Sequence, residues 1–159
     1  MAWRPDITTI LAVWGAVLST IVFAWDIYKW RTSGPRLRFF ASGNMETVNM
    51  PAYDGKTLVS ARVTNVGDRS TTITNMAYLF YESTWACLRR RPTKQFLVPN
   101  PSVAQPIPYE LRPGTEWSGI AIQNEELETM AASGYLVCAV YHSHNQKPLA
   151  QRLVLKRKA

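Results

Sequence analysis

Cysteine and histidine are scarce in this chain, at two residues each, and that scarcity removes several chemistries at once. Cys87 and Cys138 cannot by themselves build a disulfide framework or a four-thiolate metal centre. His142 and His144 stand two residues apart, a spacing that puts both on one face of a strand. No carboxylate or cysteine lies close by in sequence to complete a ligand set, so the pair reads as solvent-facing histidines beside a turn. Nucleophile elbows, paired HExxH histidines and Cys/His nucleophile arrangements are all missing. The fragment Gly55-Lys56-Thr57 matches the end of a phosphate-binding loop, but Met50 stands where the first glycine belongs and no helical pattern follows. The sequence therefore predicts no catalytic, cofactor-binding or metal site, and no enzyme.

Charge is the next thing in short supply, at the N-terminus above all. The run from Ile7 to Trp25 carries no charged residue. As a helix rising about 1.5 Å per residue it comes close to the roughly 30 Å of a hydrocarbon core. Trp25, Asp26, Ile27, Tyr28, Lys29 and Trp30 follow it, where a cleaved signal peptide would present small residues, so a retained transmembrane anchor is expected over residues 1–30. Trp3 at one end and Trp25, Tyr28 and Trp30 at the other are the amphipathic rings that sit at headgroup level. Arg4 and Asp6 precede the span, while Lys29, Arg31, Arg36 and Arg38 follow it, offset only by Asp26. The positive-inside bias then places the N-terminus outside and the rest of the chain at the cytoplasmic face of the inner membrane. Within the span Ala12, Gly15, Ala16 and Ser19 recur at helical spacing, with Gly15 and Ser19 a small-xxx-small pair that suits helix–helix contact and a homo-oligomer.

Overall the chain has 18 basic and 11 acidic residues in 159. Five basic and two acidic residues fall within positions 1–38, so the remainder holds 13 and nine, a net of +4. Much of the positive excess thus belongs to the membrane flank, where anionic lipid attracts each nearby cation by about 1 kcal/mol. Nucleic acid is not an expected partner. Outside the flank the sharpest cluster is Arg89, Arg90 and Arg91, with Lys94 close behind. It suits first a solvated loop guarding a sheet edge, and next an anionic ligand or lipid headgroups, since guanidinium binds phosphate bidentately.

After a short basic linker at residues 31–35 the periodicity turns from helical to alternating. Leu37, Phe39 and Ala41 alternate with Arg36 and Arg38, and Val59, Ala61 and Val63 with Ser60, Arg62 and Thr64. Asp54-Gly55 predicts a two-residue hairpin between strands at 45–53 and 56–64. Residues 71–82 are apolar on both faces and predict a central strand. Short strands are expected at 84–88 and 95–98, and Pro99, Pro101, Pro106 and Pro108 then mark a loop or sheet edge. Pro113-Gly114 predicts a turn before a strand at 115–123, and Asn124 caps a short helix that ends near Gly134. Two final antiparallel strands are expected at 135–142 and 149–155. Cys87 and Cys138 both fall in these apolar stretches, as free buried thiols in a cytoplasmic domain or as a cross-sheet disulfide in a periplasmic one.

Seven to nine strands with one short helix, over residues 36–156 and followed by a basic tail at 157–159, predict a mainly β sandwich. The strings VTNVGDRSTTI (63–73), YELRPGTEW (109–117) and GYLVCAVY (134–141) resemble the immunoglobulin-like or fibronectin type III-like pattern. The layout is also similar to uncharacterised bacterial single-pass membrane proteins that join one N-terminal helix to such a domain. The anchor together with a sandwich that lacks catalytic residues predicts a non-enzymatic interaction module anchored in the membrane, with another protein as partner. Two alternatives stand beside it. One is a signal-gated, membrane-disrupting effector that senses an anionic or nucleotide-like ligand, similar in layout alone to the membrane-anchored β-barrel effectors of bacterial antiviral signalling. The other is a periplasmic structural or adhesion module.

Overall fold

The structure, a computed structural model, describes residues 6–156; Trp3, Arg4 and the tail at 157–159 lie outside the described residues. The chain divides into two compact units, residues 1–34 and 35–159.

The first unit is one helix, α1 (Ile7–Thr32), long and apolar enough to cross a bilayer by length and composition. Its first turn is held by the Asp6 carbonyl, which accepts from the amides of Thr9 and Ile10, and its last by Ser33, whose amide and hydroxyl both donate to the Lys29 carbonyl. Ser19 and Thr20 fold their hydroxyls back onto the carbonyls of Gly15 and Ala16, each at 2.8 Å, so both donors are satisfied inside the helix. Lys29 and Arg31 lie in the last turn, where cations favour the helix C-terminus. The helix therefore runs two residues past the expected anchor boundary.

The second unit is eight antiparallel strands in two sheets, with two short helices. The first sheet has the order β1 (Leu37–Met45), β2 (Leu58–Asn65), β6 (Glu116–Ile122). In the second, β3 (Thr71–Tyr81) lies between β7 (Tyr135–His142) on one side and β4 (Lys94–Leu97) with β5 (Tyr109–Leu111) on the other, and β8 (Asn145–Arg152) pairs with β7. Inward residues of the first sheet, Ala41, Val59, Ala61, Val63 and Trp117, meet Ile73, Met76, Tyr78, Phe80, Leu136, Cys138 and Val140 of the second in one apolar core. Helix α3 (Glu125–Ser133), capped by Asn124 Oδ1 accepting from the Leu127 amide at 3.0 Å, adds Leu127 and Met130. Gly134 ends it because the chain must pass tightly: a Cβ there would lie 2.6 Å from the Tyr81 carbonyl oxygen.

Three glutamine side chains close edges that the ladders leave open. Gln105, in the proline-rich loop, accepts from the Ser118 amide and donates to the Glu116 carbonyl, both at 2.9 Å. Together with the Ile120 amide on the Pro101 carbonyl it continues the hydrogen bonding of β6 where no strand follows. Gln151 of β8 accepts from the Ala41 amide at 2.8 Å and so ties the edge of β1 to the other sheet. Gln123 joins Asn44, Glu128 and the Lys156 carbonyl, fastening the end of the described chain to β1 and α3.

Several sequence expectations are corrected. Residues 84–88 form helix α2 (Thr84–Leu88), because the Ser83 side chain accepts from the Ala86 amide and starts a helical turn. Asp54-Gly55 is no two-residue hairpin: β1 ends at Met45, and residues 46–57 form a longer connection with a 3-10 turn at Pro51–Tyr53. Pro51 has no amide for a ladder, and Gly55, at φ +66°, takes the third position of a type II turn closed by Lys56 N on Tyr53 O. The last strand begins at Asn145, four residues before the expected start. Cys87 lies on α2 and packs with Leu79, Tyr81, Val137 and Ala139 on the outer face of the second sheet, whereas Cys138 lies in the core. Sheet backbone separates the two thiols, and both are free.

Candidate functional site

The second sheet presents an outer face turned away from the core. Its register lines up Gln95, Leu79, Val137 and Arg152 across four strands, and beside them Leu97, Ala77, Ala139 and Ala150. Three alanines in one row leave the sheet surface low, since side chains on one face stand side by side at strand spacing. Helix α2 covers one end, resting Ala86 and Cys87 on this face. The chain then turns sharply. Arg90 takes a left-handed conformation, φ +52°, with its amide on the Cys87 carbonyl and the Arg91 amide on the Ala86 carbonyl.

Between α2 and β8 remains a cavity of about 480 Å³. Leu79, Tyr81, Val137 and Tyr141 line it together with Pro92 and Pro148, and Arg90, Arg152, Gln95 and Gln146, all exposed, complete its border. None of the residues lining it is acidic. Arg152 is held by its neighbour: its guanidinium carbon lies 4.3 Å from the centre of the Tyr135 ring, a cation–π contact, and the Tyr135 hydroxyl accepts from Thr84 of α2 at 2.9 Å. Burial raises the Tyr81 phenol pKa, the Cys87 and Tyr141 groups push the same way, and the positive charge of Arg90 opposes them. Phenols, thiol and guanidinium thus share one small space. An apolar, partly aromatic floor with cationic and amide groups above it can hold an anion that has a flat body.

Of the basic cluster expected from sequence, Arg90 alone lines this cavity. Arg89 lies over the Trp85 ring at 5.6 Å from the centroid, and Arg91 and Lys94 are exposed away from it. Of the membrane-flank cations, Lys29 and Arg31 belong to α1, while Arg36 and Arg38 are exposed where β1 begins. Ala12, Gly15, Ala16 and Ser19 lie along α1, and space around Gly15 is open. The rings of His142 and His144 stack 6.4 Å apart, and burial, then His144, lowers the His142 pKa. Among the described residues no three His, Cys, Asp or Glu side chains gather as a metal site would require. Gly55, Lys56 and Thr57 border a second cavity, of about 490 Å³, beside α3. There the Lys56 ammonium donates to the Ala52 carbonyl and Glu125 and Glu128 supply negative charge, an unfavourable setting for phosphate.

Sequence reasoning missed Arg152, Gln146 and Pro148. Alternation from Gln146 through Pro148 and Ala150 to Arg152 was the available signal, with Pro148 allowed because β8 is an edge strand.

No family model matches the chain, and no curated protein matches it. Among solved structures it is similar to a crystal structure of a protein assigned as ApaA from Bordetella pertussis. That likeness has 12% identity and a TM-score of 0.36, over 76% of this chain and 89% of that one. At that level it leaves both fold and function to be argued from this chain's own residues.

Proposed function

We propose that the chain is a single-pass membrane protein displaying an immunoglobulin-like sandwich at the cytoplasmic face of the inner membrane as a non-enzymatic interaction module. On this reading it is kin to the uncharacterised bacterial proteins that join one helix to such a domain. The observation that carries it is the cavity on the outer face of the second sheet, whose cationic and aromatic groups suit recognition, in a chain that also bears an apolar helix. Another protein is the expected partner, lipid contacts the flank from Lys29 to Arg38, and the face of Ala12, Gly15, Ala16 and Ser19 supports a homo-oligomer. Arg90 and Arg152 favour the second reading, a signal-gated effector that answers to an anionic ligand. The envelope reading loses its expected mark, because Cys87 and Cys138 lie on opposite faces of one sheet.

Thiol labelling tests the placement. Burial pushes the Cys138 thiol up to about 12, so at neutral pH it presents almost no thiolate, and its site admits no reagent. Cys87 is partly exposed. The expected result is no labelling in intact cells, labelling of Cys87 alone once the membrane is opened, and labelling of Cys138 only after denaturation, all without reductant. Labelling of Cys87 by an impermeant reagent in intact cells would move the domain to the other side of the membrane. A photo-crosslinker at Gln146 in native membranes tests the module itself: a discrete adduct is expected, and a protein that captures neither partner nor ligand would sink the reading.

A further inference from the structure

We infer that the cavity on the outer face of the second sheet is a nucleotide site, taking a planar heteroaromatic base that carries a phosphate. The inference rests on the second reading, of a domain that answers to an anionic ligand, and names the ligand of that site.

Unused hydrogen-bonding capacity is the first observation. Among the described residues neither Arg90 nor Arg152 is paired with a carboxylate. Both side chains are exposed and neither guanidinium donates to a protein oxygen, so the five N–H groups of each fork can exchange water for a ligand. Guanidinium forks match phosphate oxygens bidentately. Arg152 is already oriented by the Tyr135 ring, which is in turn fastened to Thr84, so part of the ordering cost of binding is met before the ligand arrives.

The second observation is the chemistry beside those cations. Tyr141, Pro92 and Pro148, each partly exposed, offer flat surfaces on which a ring can stack. Gln95 and Gln146 border the same space, and their side-chain amides have no protein partner of their own. An amide presents a donor and an acceptor side by side, the pattern that pairs with the edge of a base. A cavity of about 480 Å³ suits a small molecule. A phosphate alone, or a lipid headgroup, would leave the tyrosine and proline surfaces and both amides unused.

The test is calorimetric titration of the full-length protein in nanodiscs with the 5′-monophosphates of the four ribonucleosides. Inorganic phosphate, benzoate, adenosine and vesicles of phosphatidylglycerol serve as separate arms. At least one nucleotide is expected to bind, with phosphate and adenosine each at least about tenfold weaker, because each presents only half of the chemistry. Arg152→Gln and Arg90→Asn, the latter chosen because asparagine tolerates the left-handed backbone, are each expected to weaken binding by about tenfold or more. Lys94→Gln lies outside the cavity and is expected to bind as the parent does. Phosphate, benzoate or the vesicles binding as well as the nucleotides would overturn the inference. So would nucleotide binding unchanged in both arginine variants, or no nucleotide binding at all. If the Gln146 crosslinker captures a protein while no nucleotide binds, the nucleotide site falls and the interaction module stands.

Discussion

Replacing Trp117 by alanine is expected to remove about 3–5 kcal/mol of folding stability, more than any other single change in the core. The indole is fully buried between the two sheets, at 0% exposure, and pairs in register with Val63 on β2. Its loss takes away the largest fully buried side chain and leaves a cavity that rigid sheet backbone on both sides cannot close. It also strands an acceptor, because the indole N–H donates to the Gln105 carbonyl at 3.0 Å. Chemical denaturation of the full-length protein in detergent, followed by circular dichroism, measures the effect. Trp117→Phe is expected to recover part of the stability by filling volume without the hydrogen bond. A loss below about 1 kcal/mol in the alanine variant would mean that Trp117 does not anchor the core.

Gln105→Leu is expected to lower stability by about 2 kcal/mol, from the unpaired amide of Ser118 and carbonyl of Glu116, and to make the protein self-associate. The Trp117 hydrogen bond runs to the backbone of residue 105 and survives the substitution, so the two variants act through different groups. Gln105→Glu keeps an acceptor for Ser118 N and is expected to fall between parent and leucine variant. Light scattering coupled to size exclusion in detergent reads the association. A leucine variant with unchanged stability and mass would show that the proline-rich loop guards β6 without its glutamine.

Where one face of a strand is buried, alternation alone located it. Val59, Ala61 and Val63 announced β2, and the two-faced apolarity from Met76 to Tyr81 announced the centre of the second sheet. Asn124 and Gly134 likewise marked the ends of α3 through local hydrogen bonding and close approach. Helix α2 was not legible, because Thr84, Trp85 and Cys87 fit a strand as readily as a helix and the Ser83 cap tipped the balance. Arg90 and Arg152 are more than sixty residues apart, and only the antiparallel path from β3 through β7 to β8 brings them to one cavity. Pairing of distant strands is a tertiary outcome that no local pattern encodes.

Adjacent residues of β3 and β7 face opposite ways, so Leu79 and Val137 floor the cavity while their neighbours Tyr78, Phe80, Leu136 and Cys138 pack the core. The same ladder of amides therefore supports both surfaces. A molecule seated in the cavity must slow hydrogen–deuterium exchange at the most protected amides of the domain as well as at its rim. Occupancy of this site would be legible from the deepest part of the fold, with no probe attached to the pocket.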